Sequence, residues 1–203
     1  MTKNDTLIIV DWDDTLFPTS WSVKNNINLN DMEVRNRYLV YFSELDRILY
    51  KLLNKLLDYG DVSIVTNALP KWITISSDVL PNTKYLLKRI KIISARQLYQ
   101  PTHPQMMDWK KEVFKSEISA EVVKKEYLNI ISIGDAEYEY NALIELNKTN
   151  TNKKILKAVK LMGTPTHETL LDQLEVLTKA APNLCLSNYH LDLQFKFFSG
   201  FAY

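Results

Sequence analysis

Cysteine is almost missing from this chain: Cys185 stands alone in 203 residues. No internal disulfide can form, and a reducing, cytoplasmic setting is the simplest expectation. Glycine is scarce as well. With four in the whole chain, there is no glycine-rich phosphate loop of the Rossmann or Walker type. Neither sign of charge dominates, since 25 Lys and Arg stand against 24 Asp and Glu, a net charge of +1. That balance shows no global basic footprint, so charge does not indicate nucleic acid as a partner. No apolar run approaches the length of a membrane span. The opening "MTKND" leads straight into a candidate strand, without the pattern of a signal peptide. The three histidines, His103, His167 and His190, are scattered and lack metal-ligand spacing. What remains is ordinary for a soluble globular protein: 46% hydrophobic and 24% charged residues. The length suits one domain over residues 1–203.

Along the chain, short apolar runs alternate with helical periodicity. Leu7 to Val10 reads as a buried strand. Residues 17–31 are polar and Asn-rich and read as a loop. From Met32 to Tyr59 apolar positions recur at helical spacing, with Gly60 as the stop. "DVSIVTN" is a second strand; a helical stretch from Lys71 to Arg89, interrupted at Pro81, leads to a third, "IKIIS". "MMDWKKEVFKSEI" has helical spacing of Met107, Val113 and Phe114. "LNIISIGD" is a fourth strand, "EYEYNALIELNK" a helix, "ILKAVKLM" a fifth strand and "THETLLDQLEVLTKA" an amphipathic helix. This alternation predicts α/β architecture, a parallel sheet with helices on both faces. In the tail, Leu191, Leu193, Phe195 and Phe197 alternate with polar residues, the period of a half-buried extra C-terminal strand added to a sheet edge or covering it.

One stretch poses an electrostatic problem. "VDWDDT" sets Asp11, Asp13 and Asp14 directly after the first strand. At an effective dielectric near 20, two carboxylates about 4 Å apart repel by roughly 4 kcal/mol. A bound cation or a raised pKa commonly offsets such repulsion. In a parallel sheet, ligands gather at the carboxyl ends of the strands. Thr66 and Asn67 end the second strand; Gly134 and Asp135 end the fourth, with Glu139 one turn on. Carboxylates from two strands, a hydroxyl from another and a lysine at one edge suit magnesium and phosphate. Hard oxygen ligands serve the cation, donors serve phosphate oxygens, and one carboxylate is free to attack.

Taken singly, each motif has a plain structural reading. "DWDDT" can be an acidic turn capped by Asp14, "SIVTN" an ordinary strand end, and "GDAEYE" a strand-to-helix turn with an Asp cap. Trp12 suits either pocket shaping or packing above the sheet. Their order, each after a predicted strand, is what joins them. At these residues the chain resembles the haloacid dehalogenase-like superfamily of phosphohydrolases, over roughly residues 7–145. "DWDDT" matches its first motif, "SIVTN" its second and "GDAEYE" its fourth; the third is a lone lysine. "DWDDTLFP", "TNALPKW" and "WKKEVF" look closest to one branch of that superfamily.

The resemblance implies a Rossmann-like sheet flanked by helices and a magnesium-dependent phosphatase. Asp11 would be the nucleophile that forms an aspartyl-phosphate, and Asp13 the general acid and then base, its backbone carbonyl also a metal ligand. Thr66, with Asn67, would bind the phosphoryl group. Asp135 would complete the metal site, and Glu139 would orient it or its waters; the family often has Asp at the position of Glu139. Lys110 is chosen as the lysine, with Lys111 and Lys115 as rivals. It would offset the charge between Asp11 and phosphate. Phosphotransfer to another acceptor, or a non-catalytic phosphate-binding or interaction module, are the alternatives. Specificity in this superfamily usually comes from cap insertions after the first motif or the second strand. Here both spans leave room for little or no cap, only a small flap around residues 22–30. An open mouth suits a bulky, possibly macromolecular phosphorylated substrate.

Overall fold

The structure, a computed structural model, describes residues 5–149 and 153–196. Strand β1 is Thr6–Val10, followed by helices α1 (Thr19–Lys24), α2 (Met32–Arg37) and α3 (Leu39–Tyr59). Then come β2 (Asp61–Thr66), α4 (Pro70–Ser77), α5 (Pro81–Leu87), β3 (Lys91–Ser94), α6 (Ala95–Tyr99) and α7 (Met106–Val113). A π-helical turn, Phe114–Ile118, joins α7 to α8 (Ser119–Lys125). The chain closes with β4 (Asn129–Gly134), α9 (Glu137–Thr149), β5 (Ile155–Lys160), α10 (His167–Leu186) and β6 (Leu191–Gln194).

The six strands form one sheet in the order β3-β2-β1-β4-β5-β6, every neighbouring pair parallel. This is the Rossmann-like α/β architecture expected from the alternation. β1 lies between β2 and β4, with Val10 opposite Ile64 on one side and Ile133 on the other. The chain winds outward through β2 and β3, then returns to the far side of β1. The gap between β1 and β4 is therefore the topological switch point, where crevices open at strand ends.

Strands buried on both faces read as continuous apolar runs, and β1 shows why. Ile8 and Val10 face one core, which α3 and α10 fill with Leu45, Leu49, Leu52, Leu170, Leu174 and Leu177. Leu7 and Ile9 face the other, built with Trp109 and Val113 of α7 and Ala142, Leu143 and Leu146 of α9.

Several boundaries differ from the sequence reading. The predicted helix over 32–59 is two helices, because Tyr38 leaves helical geometry (φ −102°, ψ 13°). Asp31 caps the first, accepting from the backbone N–H groups of Glu33 and Val34. The polar stretch 17–31 holds α1, and its supposed flap is anchored: Ile27 and Leu29 are buried in the core. α6 was not anticipated; the Ser94 side chain caps it, accepting from Gln97 N–H. Gly60 does end α3, where a Cβ would lie 2.5 Å from the Thr6 carbonyl oxygen. Only glycine lets the chain pass so close to β1.

Phe42 of α3, Leu80 just before α5 and Leu86 of α5 belong to the same core as Ile8 and Val10 of β1.

α10 runs past the predicted end to Leu186, through Pro182. Beneath its last turn is a buried lysine. Lys157 Nζ donates to the carbonyls of Leu184 (2.7 Å) and Ser187 (2.6 Å). A cation on orphan carbonyls at a helix C-terminus is well matched to the helix dipole.

The extra C-terminal strand is present as β6. In its register with β5, Leu191 pairs with Lys157 and Gln194 with Lys160. Leu191 and Phe195 pack against the core, but Leu193 is 41% exposed, so the expected apolar face is only partly covered. Phe197 lies outside the described residues. Deleting residues 189–203 should lower the melting temperature by about 2–4 °C per kcal/mol lost and reduce solubility. Turnover should change less, because no candidate catalytic residue lies in that stretch. Differential scanning fluorimetry and light scattering would check this; unchanged stability would make the tail an appendage.

Candidate active site

The acidic turn begins where β1 stops. Asp11 keeps sheet register, its N–H donating to the Ile133 carbonyl at 2.9 Å. The chain then folds tightly, with the Trp12 carbonyl accepting from Leu16 and Phe17 N–H, both at 2.9 Å. Asp14 sits in the left-handed region at φ 54°, a position Asp tolerates better than most residues. Its carboxylate accepts from Ser20 N–H (2.8 Å) and from the Ser20 hydroxyl, so Asp14 ties the turn to the start of α1. Burial nevertheless pushes the Asp14 carboxyl upward, with the Ser20 hydrogen bonds opposing it. Asp14 acts as the structural cap that the plain reading allowed.

At the centre is a buried ion trio. Lys110 Nζ lies 2.7 Å from Asp11 Oδ1 and also donates to Glu139 Oε1. All three side chains are buried, Lys110 to 2% exposure. Burial works against the Lys110 charge, but Asp11 and Glu139 together outweigh it and hold the ammonium above its ordinary range. Asp11 moves the same way for a different reason. Burial raises its carboxyl pKa well above the usual value; Lys110 lowers it and Glu139 raises it further.

Lys110 owes its place to helical phase, since Lys110, Val113 and Phe114 share the inward face of α7 and the turn after it. Met107, read as part of that face, is 48% exposed; Trp109 takes the inward role. The rival lysines pair elsewhere, Lys111 with Asp108 and Lys115 with Glu112.

Glu139 reaches the trio because Gly134 lets it. A Cβ on Gly134 would meet Glu139 Cγ at 2.2 Å. The second Glu139 oxygen accepts from Ala136 N–H at 3.1 Å, closing the turn into α9. The Glu139 carboxylate thus bonds both Lys110 and this backbone amide. Asp135, at the end of β4, is pushed up to about 7 by burial first and then by Glu139. Lys110 pulls against that shift, and Asp14 adds to it.

Asp13 faces the other way. Its Oδ1 accepts from Thr19 Oγ1 at 2.5 Å and from Trp72 Nε1 at 2.8 Å. Its Oδ2 lies 3.5 Å from Thr66 Oγ1, and that hydroxyl in turn accepts from Ala68 N–H at 2.9 Å. The Asn67 Oδ1 atom beside it is buried without a hydrogen-bond partner. Thr19 and Trp72 had no part in the sequence reading. "TNALPKW" carried the tryptophan in view, but nothing local tied it to a residue 59 positions away.

The histidines do not converge. His103 gives its carbonyl to Trp109 Nε1, His190 Nδ1 accepts from Leu156 N–H, and His167 packs on Trp21 and Tyr41. Among the described residues no three His, Cys, Asp or Glu side chains converge as a ready metal cage, and no helix is long and apolar enough to cross a membrane.

Fold and site together describe an α/β protein that carries a buried carboxylate–lysine–carboxylate trio at its switch point, beside a second, separately held Asp. No family model matches the chain, and no curated protein matches it. Among solved structures it is similar to cytosolic 5'-nucleotidase IIIB bound to cytidine, with 12% identity and a TM-score of 0.44 over 89% of this chain and 88% of that one. A likeness that distant says nothing of this chain's substrate.

Proposed function

We propose that this protein is a phosphatase of the haloacid dehalogenase-like type, hydrolysing phosphate monoesters through an aspartyl-phosphate on Asp11. The observation that carries this reading is Lys110, buried between Asp11 at 2.7 Å and Glu139 at the switch point. A fully buried lysine held charged beside a carboxylate is costly for a fold to keep. It suits a site where a nucleophilic carboxylate must meet a dianionic phosphoryl group. Asp11 Oδ1 is engaged with Lys110, which leaves Oδ2 as the attacking atom.

In the first half-reaction Oδ2 bonds to phosphorus. The bond from phosphorus to the leaving oxygen breaks, its electron pair going to that oxygen, which takes a proton from Asp13. In the second, Asp13 takes a proton from water, the water oxygen bonds to phosphorus, and the Asp11 carboxylate is released with inorganic phosphate. Thr66 and Asn67 would supply donors to the phosphoryl oxygens, the hydroxyl of the first and the side-chain amide N–H of the second. Each role sits on a strand end, where the sheet holds it rigidly.

A divalent cation fits the donor set. Asp11, Asp135 and the Asp13 carbonyl are hard oxygens, and magnesium commonly takes one or two carboxylates while keeping waters and substrate oxygens. Burial raises the Asp11 and Asp135 carboxyls, and Glu139 adds to both shifts while Lys110 opposes them. Magnesium would supply charge neutralisation for the transferring phosphoryl group. Turnover of p-nitrophenyl phosphate should vanish in excess chelator and return with magnesium. Calcium should bind yet support little turnover, because its looser coordination disturbs in-line attack. Full activity in chelator would overturn the metal-dependent reading.

Asp135 gives a test without turnover. A carboxyl at about 7 in the folded protein keeps its proton longer than it would unfolded. The stability tied to that proton is present at low pH and lost as pH rises through about 7. Asp135→Asn cannot ionise and escapes that loss. At pH 8 in chelator it should melt above the parent by about 2–4 °C, the shift that 1 kcal/mol gives in a chain this size. At pH 5 the difference should be smaller, and it should close only below about pH 4, where the unfolded carboxyl keeps its proton as well. Melting curves across that range check the sign.

The reading of the substrate class is supported by the span between β1 and β2, part of which is taken up by the core. With Ile27, Leu29 and Phe42 in the core, little of this span is left to form an independent cap. Small esters in an uncovered cleft lose the water exclusion that strengthens electrostatic catalysis. The reading is therefore a bulky phosphorylated substrate, macromolecular in size, with weak and broad activity on small esters. A panel of small phosphate esters tests it; one hydrolysed near the diffusional limit by the monomer would refute it.

A further inference from the structure

We propose that Trp72 is a positioning residue for proton transfer, its indole N–H fixing which oxygen of Asp13 carries the proton. The proposal rests on the phosphatase reading above and adds a residue to it. Asp13 Oδ1 receives two donors, Trp72 Nε1 at 2.8 Å and Thr19 Oγ1 at 2.5 Å, and the indole lies 3.3 Å from the same Thr19 hydroxyl. A hydroxyl can donate or accept, so Thr19 alone would tolerate a proton on Oδ1. An indole N–H can only donate. With Trp72 aimed at Oδ1, a proton on that oxygen would face another proton. The acid form must therefore carry its hydrogen on Oδ2. Among the described residues that oxygen has only the long 3.5 Å approach from Thr66, at the outer limit of a hydrogen bond. Oδ2 is thus left to serve the leaving oxygen and then the water.

The indole is itself held. Its ring meets Phe17 edge-on, centroids 5.8 Å apart at 85°. Phe17 is stacked between Trp12 at 6.4 Å and Phe42 at 6.1 Å. Trp12 reaches back in the opposite direction, its Nε1 donating to Ser76 Oγ at 3.0 Å, one turn further along α4. Two indoles therefore clasp α4 and the acidic turn from both sides. Because α4 starts just after Thr66 and Asn67, the clasp joins the phosphoryl-binding strand end to the proton donor. Removing one orientational uncertainty at a reacting group is worth tens-fold to hundreds-fold in rate.

Trp72→Phe tests this, since it keeps a flat ring against Phe17 and removes the donor. Phenyl phosphate, whose leaving group needs its proton, should lose about tenfold to 100-fold in kcat with KM within about twofold. With p-nitrophenyl phosphate, whose leaving group needs no proton, the variant should release a burst of nitrophenolate equal to the enzyme present. Slow steady turnover should follow, because water activation by Asp13 is also impaired. Ser76→Ala removes the other end of the clasp and is the structural control; it should lower the melting temperature without the burst or the leaving-group dependence. Wild-type kcat on phenyl phosphate in Trp72→Phe would overturn the proposal, as would losses in both variants that merely follow melting temperature. Asp13→Asn separates the two levels of the reading. If it is inactive while Trp72→Phe is normal, only the positioning role fails; if Asp13→Asn turns over normally, the acid–base assignment fails and the positioning role with it.

Discussion

Asp11→Asn should lower turnover of any phosphate monoester by at least about four orders of magnitude, because an amide oxygen cannot replace the attacking carboxylate. The variant should fold. Burial and Glu139 push the Asp11 carboxyl upward against the pull of Lys110, so a neutral amide of the same shape removes a buried charge while giving up one of the two partners of Lys110. Lys110 keeps its bond to Glu139. Circular dichroism should be unchanged, and melting at pH 8 should stay level or rise. No phosphoenzyme should be trapped by acid quench, whereas Asp13→Asn should accumulate one from p-nitrophenyl phosphate. Activity of Asp11→Asn within about tenfold of the parent would remove Asp11 from the nucleophile's role.

The second large effect is expected at Lys110, and there stability and activity fall together. Lys110→Met keeps the length and loses the charge. It leaves Asp11 and Glu139 facing each other in a buried crevice, and breaking one partner out of a buried ion pair costs about 3–5 kcal/mol. That is a large part of the about 5–15 kcal/mol by which domains are stable. The sign with pH is definite. Lys110 is held above its ordinary range in the folded protein, so its contribution is fully present at neutral pH and fades only at high pH. In Lys110→Met, protonating the two carboxylates relieves the repulsion, so the deficit should shrink as pH falls. Urea denaturation at pH 5.5 and pH 8 would measure both limbs. Equal midpoints for variant and parent at pH 8 would show that the trio is not an energetic unit.

The parts legible in the sequence were those with local causes. β1, β2 and β4 announced themselves because strands buried on both faces are short apolar runs with polar exits. Asp11, Thr66 and Asp135 were visible for the same reason, as unusual polar residues at those exits. The lysine was harder, because three lysines fall within "WKKEVFK". Helical phase separates them: Lys110 lies on the side of Val113 and Phe114, while Lys111 turns out to Asp108. The break at Tyr38 had no proline or glycine to mark it. Trp72 and Thr19 were illegible for a stronger reason. Their importance lies in a shared oxygen of Asp13, and no pattern within α4 or α1 records a bond made across the fold.

The order of the strands also bears on how activity appears during refolding. Asp11 follows β1, Lys110 lies on α7 and Glu139 lies on α9, so the trio draws on three distant parts of the chain. β1 and β2 can pair early, but β4 must return across the intervening segment to reach the far side of β1. Pairings of high sequence separation form slowly, because loop closure precedes the contacts that reward it. A half-formed sheet of β1, β2 and β3 would show secondary structure and bury apolar surface while holding no functional trio. Recovered turnover should therefore lag behind recovered circular dichroism, making catalysis a reporter of the last long-range pairing.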